Sequence, residues 1–332
     1  MHMADALLSP VVSGSMLIAT AATATYSYKK IAKNIEDTKI PLMGVMGAFV
    51  FAAQMINFTI PGTGSSGHIG GGMLLAILLG PYAGFLTMGA VLLIQALFFG
   101  DGGLMAYGAN VMNLGFFTCF IAYPLIYKPL MEKTFLKANA SKWKRHAITI
   151  GAVAVGLQMG AFSVVLETVL SGKTELPFGG FVLLMQPIHL AIGLVEGFIT
   201  AAVVAFVQRE KPELLTASPA PAKGILIAML VVTLVVGGGL SLYASSHPDG
   251  LEWSIEKMTG SGELESEGGV FAFFASVQEK TAFMPDYDFK SGEGFVSGTT
   301  VAGIVGAGLT LLFTVGLAIF IKKTRGNRAI RE

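Results

Sequence analysis

Long apolar runs alternate with short polar segments along this chain. Each run is close to the roughly 20 residues that a helix needs to cross a bilayer, which predicts a series of membrane-spanning helices. A shorter apolar run at 70–79 is stopped by Gly80-Pro81. Because this dipeptide breaks a helix and reverses the chain, we expect a short separate crossing there. The longer runs are 9–28, 41–60, 81–99, 104–127, 147–170, 180–207, 224–244 and 299–321.

The composition excludes a soluble globular domain. Hydrophobic residues make up 53% of the 332 residues and charged residues 13%, values typical of a polytopic membrane protein. The formal net charge of +1 gives no global attraction to nucleic acid. Cys119 is the single cysteine, so an intrachain disulfide and a CxxC motif are excluded. No cleavable signal peptide is expected, since residues 1–9 contain no lysine or arginine.

The basic residues predict the orientation of the chain in the membrane. If the N-terminus is outside and the short run at 70–79 crosses, 18 of the 22 lysines and arginines fall on the cytoplasmic side, as the positive-inside rule requires. If that run did not cross, the basic cluster 128–145 would lie outside. The same count places Met1 and His68 together on the outer face and the C-terminus in the cytoplasm.

The first two residues, Met1-His2, have the donor pattern of a planar metal chelate. The α-amine, the amide nitrogen of residue 2 and the imidazole Nδ1 close two fused rings, a geometry that suits Ni(II) or Cu(II) better than Zn(II). His68, in a glycine-rich loop, is the candidate for the open in-plane position. The alternative is that both histidines are incidental, one following the initiator methionine and one solvated in a loop. Candidates for hydrogen-bonding the metal ligands are Ser65, Ser66, Gln54 and Gln95.

Three ionisable residues inside the predicted spans, Glu167, His189 and Glu196, have two interpretations. They form a proton relay or a second metal station, or they make hydrogen bonds between helices, which we favour. A stripe of small residues in the second span, Gly44, Ala48 and Ala52, likewise fits contact with a membrane coupling protein or ordinary packing within the chain.

The chain divides into two predicted units. Residues 1–209 form a seven-helix unit that binds metal, 210–222 a Pro/Ala/Ser-rich cytoplasmic linker, and 223–332 a two-helix hairpin with an acidic outer loop at 245–298. No P-loop is present, because Glu167 stands where the first glycine before Gly172-Lys173-Thr174 would be needed, so we expect no nucleotide on this chain. An H-E-x-x-H protease helix is also missing.

Several stretches resemble the NikM/CbiM family, the substrate-specificity components of energy-coupling-factor transporters for nickel and cobalt. In the first unit these are Met1-His2-Met-Ala-Asp5-Ala-Leu-Leu-Ser9-Pro10, Gly67-His68-Ile-Gly-Gly-Gly72 and the helix from Pro187-Ile-His189 to Glu196-Gly197. Pro248-Asp-Gly-Leu-Glu-Trp253 and Met284-Pro-Asp-Tyr287 resemble the small NikN/CbiN partner fused to the same chain.

The resemblance implies an all-α bundle of seven helices and metal ligation by the Met1 amine, the His2 amide and imidazole, and the His68 imidazole. It also implies a transmembrane coupling protein and two cytoplasmic ATPases as partners, and Ni²⁺ more than Co²⁺ as the transported substrate. The chain itself is then not an enzyme. The alternative is a self-sufficient, proton-coupled metal permease that uses Glu167, His189 and Glu196.

Overall fold

The computed structural model describes residues 2–33, 35–135, 141–174, 176–210, 223–260, 268–290 and 297–329, and these are almost entirely helical. The helices are α1 (Pro10–Ile31), α2 (Lys39–Gln54), α3 (Gly72–Leu79), α4 (Pro81–Ile94, continued as a π-helix over Gln95–Phe99), α5 (Tyr107–Val111), α6 (Lys128–Phe135), α7 (Lys142–Ser171), α8 (Phe178–Glu210), α9 (Lys223–Gly238), α10 (Gly250–Thr259), α11 (Gly269–Thr281) and α12 (Gly298–Ala329). A π-helix over Met112–Tyr127 joins α5 to α6, and 3₁₀ turns lie at Asp5–Leu7, Leu240–Tyr243 and Pro285–Tyr287. Two short strands, β1 (Phe58–Ile60) and β2 (Ser65–Gly67), form an antiparallel hairpin in which Thr59 pairs with Ser66.

The prediction of a polytopic all-α membrane protein is confirmed. Within the described residues, 6 helices are long and apolar enough to cross a membrane: Pro81–Phe99, Tyr107–Thr134, Lys142–Ser171, Phe178–Glu210, Lys223–Tyr243 and Gly298–Thr324. Helix α1 has 22 residues but carries polar side chains that face the bundle, where Ser13 donates to the Met105 carbonyl and Thr20 donates to the Gly108 carbonyl at 2.8 Å. Its polar residues therefore serve packing between helices.

The helices place two groups of residues at opposite ends of the bundle. At one end, which we call the histidine end, lie His2, His68 and Asp101. At the other, the basic end, Lys322 pairs with Asp37 at 2.5 Å and Tyr28 donates to Thr324 at 2.7 Å. The orientation of these ends relative to the cell remains a prediction from the positive charges.

The short helix α3 runs from the histidine end to the basic end. It begins beside the His68 loop, and directly after it the Tyr82 ring lies 5.6 Å from the Tyr26 ring near the basic end. At 1.5 Å per residue α3 rises only about 12 Å, less than the roughly 30 Å hydrocarbon core. All residues of α3 and the non-helical residues 65–71 before it are buried, so protein shields them from lipid. The predicted short crossing at 70–79 is therefore an interior helix of the bundle.

The second unit, residues 223–332, is called the C-terminal module below. Its two long helices, α9 and α12, pack against the first unit. A Cβ on Gly44 would lie 2.5 Å from Val315 of α12, and Ala52 contacts the position where a Cβ on Gly237 of α9 would lie. Ala48 and Ala52 are buried. The small-residue stripe of α2 is thus covered by α12 and α9, and packing within the chain accounts for it without a coupling protein.

Replacing Gly72 with alanine is expected to destabilise the bundle. A Cβ at this position would lie 2.2 Å from the Leu114 carbonyl oxygen, a backbone atom that cannot move aside easily. We expect Gly72→Ala to lower the free energy of unfolding by about 1–3 kcal/mol, the usual cost of overpacking. Thermal unfolding of the purified protein in detergent measures the change. Gly308→Ala in α12 is the control, because no atom lies within 4 Å of its Cβ position, and equal melting temperatures for the two variants would contradict the expectation.

Candidate metal centre

The N-terminal segment is inserted into the bundle rather than lying on its surface. Met3 is fully buried, its N–H donates to Asn110 Oδ1 at 2.7 Å, and its carbonyl accepts hydrogen bonds from Asn110 Nδ2 and the Gly103 N–H. Two residues on, Asp5 accepts from the Ala106 N–H at 2.8 Å. These bonds fix the backbone on both sides of the segment, so His2 is held at the bundle's end. Met1, the first predicted ligand, lies outside the described residues.

A hydrogen-bonded frame surrounds the loop that carries His68. The β1–β2 hairpin leads into it, and the backbone N–H groups of Gly70 and Gly71 donate to the two carboxylate oxygens of Glu196 at 2.7 and 2.8 Å. Gln54 Nε2 donates to the Gly70 carbonyl at 2.8 Å. Gly71 has φ 77°, a left-handed conformation that glycine adopts without strain. Glu196 of α8 therefore anchors the loop at the entrance to α3.

The tertiary structure brings His2 and His68 together. Their imidazole rings stack with centroids 5.0 Å apart and planes 12° from parallel, and both side chains are buried. His68 Nδ1 lies 3.0 Å from the Ile69 carbonyl, which as an acceptor places the proton on Nδ1 and the lone pair on Nε2. Burial lowers the pKa of His68 to about 3, so the imidazole is neutral at physiological pH, the form that binds metals.

Asp101 and Tyr287 extend this pair into the C-terminal module. His2 Nδ1 lies 3.1 Å from Asp101 Oδ1, and the Tyr287 hydroxyl donates to Asp101 Oδ2 at 2.5 Å. Burial alone would raise the pKa of Asp101, but the adjacent His2 ring holds it below its usual range. The Tyr287 ring stacks on Phe99 at 5.2 Å. Tyr287 of the second unit thus orients the Asp101 carboxylate, which contacts His2 of the first unit.

The motif Pro248-Asp-Gly-Leu-Glu252 has a local structural explanation. Asp249 caps α10 by accepting from the N–H groups of Leu251 and Glu252 at 2.7 and 2.9 Å, while the Glu252 side chain accepts from the Asp249 N–H at 3.1 Å. Leu251 is buried, and a Cβ on Gly250 would lie 2.5 Å from Ile188 of α8. The glycine therefore allows α10 to approach α8 closely.

The same motif docks beside the His68 loop. Ser66 makes two hydrogen bonds in this contact. Its N–H donates to the Pro248 carbonyl at 2.8 Å and its hydroxyl donates to the His247 carbonyl at 2.7 Å. Trp253 Nε1 donates to the Thr63 carbonyl at 3.1 Å. The module thereby covers the loop through main-chain acceptors, which depend on backbone position more than on side-chain identity.

The arrangement can bind a soft or borderline metal ion through nitrogen atoms. The described residues include no group of three or more His, Cys, Asp and Glu side chains positioned to hold a metal ion. Two imidazoles are adjacent, however, and His2 also supplies a main-chain nitrogen. A site built here needs main-chain donors beside the histidines, and nitrogen-rich donor sets of this kind suit Ni(II) and Cu(II).

The remaining predicted site residues have structural contacts. Ser65 bonds with the Thr63 hydroxyl at 2.8 Å, and both Ser65 and Gln95 are fully buried. Ser66 bonds to main-chain carbonyls of the C-terminal module, and Gln54 bonds to the Gly70 carbonyl, as described above. The prediction that these four residues hydrogen-bond the metal ligands therefore stays a prediction.

Glu167 and Glu196 make hydrogen bonds between elements, as favoured from the sequence, whereas the bond of His189 lies within α8. Glu167 accepts from Asn113 Nδ2 and from the Ser163 hydroxyl, both at 2.8 Å, and Glu196 holds the glycine loop. His189 Nδ1 lies 2.8 Å from the Met185 carbonyl, and its Nε2 is buried without a hydrogen-bond partner among the described residues. The carboxylates are engaged in packing the bundle.

Sequence reasoning missed the roles of Asp101, Tyr287 and Asn110. In the sequence, Asn110 is one polar residue within an apolar run, and Tyr287 stands out only within a resemblance. An isolated Asp101 after an apolar helix gives no periodic signal. The glycines around it, Gly100 and Gly102, both with positive φ, were the available hint of a tight and specific turn.

Comparisons with known proteins agree with this fold. A family model described as "Cobalt uptake substrate-specific transmembrane region" (CbiM) matches residues 2–214, and a PDGLE domain model matches residues 223–323. A putative fused nickel transport protein NikMN from Archaeoglobus fulgidus is 33% identical over 325 residues, covering 96% of this chain and 98% of the relative. A fused nickel transport protein NikMN from Rhodobacter capsulatus is 32% identical over 310 residues, covering 86% and 88%. The crystal structure of a transition metal transporter matches with a TM-score of 0.54 at 32% identity, covering 63% of this chain and 93% of that one.

The fold and the buried histidine pair, with these relatives, define a multi-pass membrane protein of the metal-transport class. The chain belongs to the CbiM family of nickel and cobalt transport proteins, in its fused NikMN form, with a CbiN-like PDGLE domain at the C-terminal side. The predicted resemblance to NikM/CbiM and NikN/CbiN is therefore confirmed. The predicted linker 210–222 lies outside the described residues except for Glu210, which ends α8, so the exact division into units stays a prediction.

Removing the Asn110 side chain is expected to loosen the N-terminal segment. Asn110→Ala deletes both hydrogen bonds to Met3 and leaves the buried Met3 N–H unpaired, at a cost of about 1–3 kcal/mol, while the Met3 carbonyl keeps its bond from the Gly103 N–H. We expect faster hydrogen exchange at the Met3 amide, measured by mass spectrometry of N-terminal peptides. Asn57→Ala, another amide near the histidine end whose Oδ1 has no partner among the described residues, is the control. Unchanged exchange in Asn110→Ala would show that this anchor is dispensable.

Proposed function

We propose that this chain is the substrate-binding subunit of an energy-coupling-factor uptake transporter, which captures Ni²⁺, or Co²⁺ in its place, at the histidine end. The ion is held in a plane of four nitrogens: the Met1 α-amine, the His2 amide nitrogen and Nδ1, and His68 Nε2. The observation that carries the proposal is the stacking of His2 on His68, two buried imidazoles from distant parts of the chain. The matched relatives named as nickel or cobalt transport proteins support the choice of ion.

The local geometry supports each of the described donors. The Ile69 carbonyl accepts a hydrogen bond from His68 Nδ1. The lone pair of Nε2 therefore points away from that bond. The His2 backbone is fixed by its neighbour Met3 in the bundle. Chelation through His2 Nδ1 replaces the contact with Asp101, so the carboxylate and the ion compete for one nitrogen. This competition lowers the affinity of the site for the ion, and Asp101 does not become a ligand in the plane.

The proposal places the histidine end outside the cell and the basic end in the cytoplasm. Lys30, Arg145, Arg209 and Lys322 lie toward the basic end, the distribution that the positive-inside rule requires. Transport then needs energy from a transmembrane coupling protein and two cytoplasmic ATPases, and this chain supplies the ion site alone. The stripe on α2 is covered within the chain, so we expect the coupling protein to contact another surface.

Loss of either end of the predicted chelate is expected to abolish high-affinity nickel binding. Purified full-length protein with His68→Ala, or with a short N-terminal extension that blocks the Met1 amine, should lose Ni²⁺ affinity by at least about 100-fold, the scale of removing one ligand from a small nitrogen site. Competition against a chromophoric chelator measures the affinity. His247→Ala removes an exposed imidazole at the same end and should bind like the parent. Parent-like binding by both His68→Ala and the extended chain would overturn the proposed site.

The dependence on partners separates the proposal from the alternative of a proton-coupled permease. In proteoliposomes containing this chain alone, we expect no accumulation of ⁶³Ni²⁺ with or without an imposed proton gradient. Accumulation should require the coupling protein, the ATPases and ATP. Both candidate carboxylates of a proton path, Glu167 and Glu196, already accept two hydrogen bonds each. Uptake by the chain alone, driven by a proton gradient, would establish the permease instead.

A further inference from the structure

A cavity of about 420 Å³ lies at the basic end of the bundle, on the other side of the molecule from the histidine pair. It is formed between α6, the start of α7 and the end of α8. Helix α6 contributes Met131, α7 contributes Lys142 and Arg145, and α8 contributes a row of residues that ends at Arg209. None of the three histidine-end residues, His2, His68 and Asp101, lines it, so this cavity is separate from the proposed ion site.

The outer part of the cavity is positively charged. Lys142 and Arg145 come from the first residues of α7 and Arg209 from the last residues of α8, and the described lining contains no aspartate or glutamate. Arg209 Nε lies 3.9 Å from Glu210 Oε1, but the two side chains are 87% and 50% exposed, so this pair neutralises little of the charge. A concave surface with one sign of charge attracts ligands of the opposite sign, so an anion fits here.

The inner part of the cavity is apolar. Ala201, Val204 and Ala205 of α8 line it, and Ala201 and Val204 are buried. At 1.5 Å per residue, Ala201 lies about 12 Å along the helix from Arg209. The lining therefore changes from bases to small apolar side chains over about two helical turns. An anionic group joined to a hydrocarbon chain matches this change, whereas a small inorganic anion would use only the outer part.

Exposed aromatic side chains show the depth at which the cavity opens. Trp143, next to Lys142, is 68% exposed, and Phe206, three residues before Arg209, is 41% exposed. Tryptophan is enriched where lipid headgroups meet the hydrocarbon core. Both α7 and α8 are long and apolar enough to span the membrane, so an exposed phenylalanine on α8 faces lipid. The cavity therefore opens at the level of the lipid headgroups.

The start of α7 has an unfavourable distribution of charge. Its first four residues include Lys142, Lys144 and Arg145, and its first turn contains no acidic residue. The N-terminal end of a helix carries a partial positive charge, so cations placed there are destabilising. Ser141, at the N-cap, makes no side-chain hydrogen bond to this turn. An anion bound in the cavity offsets the excess positive charge.

We propose that the cavity between α6, α7 and α8 binds one anionic phospholipid. Its phosphate group lies against Lys142, Arg145 and Arg209, and its acyl chain lies over Ala201 and Val204. Basic pockets between membrane helices recognise anionic lipid headgroups through this combination of charge and depth. The site does not depend on the proposed ion site, and in the orientation proposed above it takes its lipid from the cytoplasmic leaflet.

Native mass spectrometry of the full-length protein, titrated with phosphatidylglycerol in detergent, tests the charged part of the site. We expect the double variant Lys142→Gln, Arg209→Gln to bind one lipid at least about tenfold more weakly than the parent, since each base beside an anionic lipid contributes roughly fivefold. The control is Lys144→Gln, Lys323→Gln, which removes two exposed charges from the same end outside the cavity and should bind like the parent. Zwitterionic phosphatidylcholine should bind the parent at least about tenfold more weakly than phosphatidylglycerol.

The variant Ala205→Leu tests the apolar part without changing the charge. The larger side chain fills space that the acyl chain would occupy, so we expect phosphatidylglycerol to bind at least about fivefold more weakly. Ala202→Leu is the matched control, because Ala202 is exposed on the same helix and does not line the cavity. Inorganic phosphate in large excess should leave the lipid bound to the parent.

Equal lipid affinities of the two charge variants would overturn the proposal. So would equal binding of phosphatidylglycerol and phosphatidylcholine by the parent, a comparison that needs no variant to fold. Displacement of the lipid by inorganic phosphate would assign the cavity to a free anion instead of a phospholipid.

Discussion

The structure depends on the burial of the N-terminal segment in the helical bundle. Met3 lies fully inside the protein, and a buried main chain must find hydrogen-bond partners there because water and lipid cannot supply them. Asn110 supplies both partners: its Oδ1 accepts from the Met3 N–H and its Nδ2 donates to the Met3 carbonyl, as the main chain of a neighbouring β-strand would. The insertion carries His2 to a position against His68. Every proposed feature of the metal centre follows from that placement.

Glycine and a carboxylate together build the opposite wall of the site. At Gly67, Gly70 and Gly71 the His68 loop passes between helices where side chains would not fit, and the buried N–H groups of Gly70 and Gly71 donate to the carboxylate of Glu196. A glutamate inside a membrane protein is expensive, and it persists where it satisfies donors that would otherwise be unpaired. The hydrogen bonds from the Gly70 and Gly71 N–H groups therefore account for Glu196, which the sequence alone also allows as part of a proton path.

The C-terminal module behaves as an integral part of the site. Its long helices cover the small-residue face of α2, its PDGLE motif forms a capped helix beside the His68 loop, and Tyr287 orients the carboxylate that contacts His2. Fusion of the two units in one chain keeps these contacts at high effective concentration, so the module does not need a large interface of its own.

The sequence by itself determined the class of protein and the places of the long apolar helices, and it singled out His2 and His68, but it predicted a loop where α10 and α11 lie. Hydrophobic runs report burial in lipid, and the pattern Met1-His2 with a glycine-rich His68 loop is local enough to be recognised without coordinates. Only the tertiary structure decided that α3 is an interior helix, that the α2 stripe is covered by α12, and that Asp101, Asn110 and Tyr287 belong to the site. These facts depend on contacts between residues far apart in the chain, and a single aspartate or asparagine carries no periodic signal of the partner it will meet after folding.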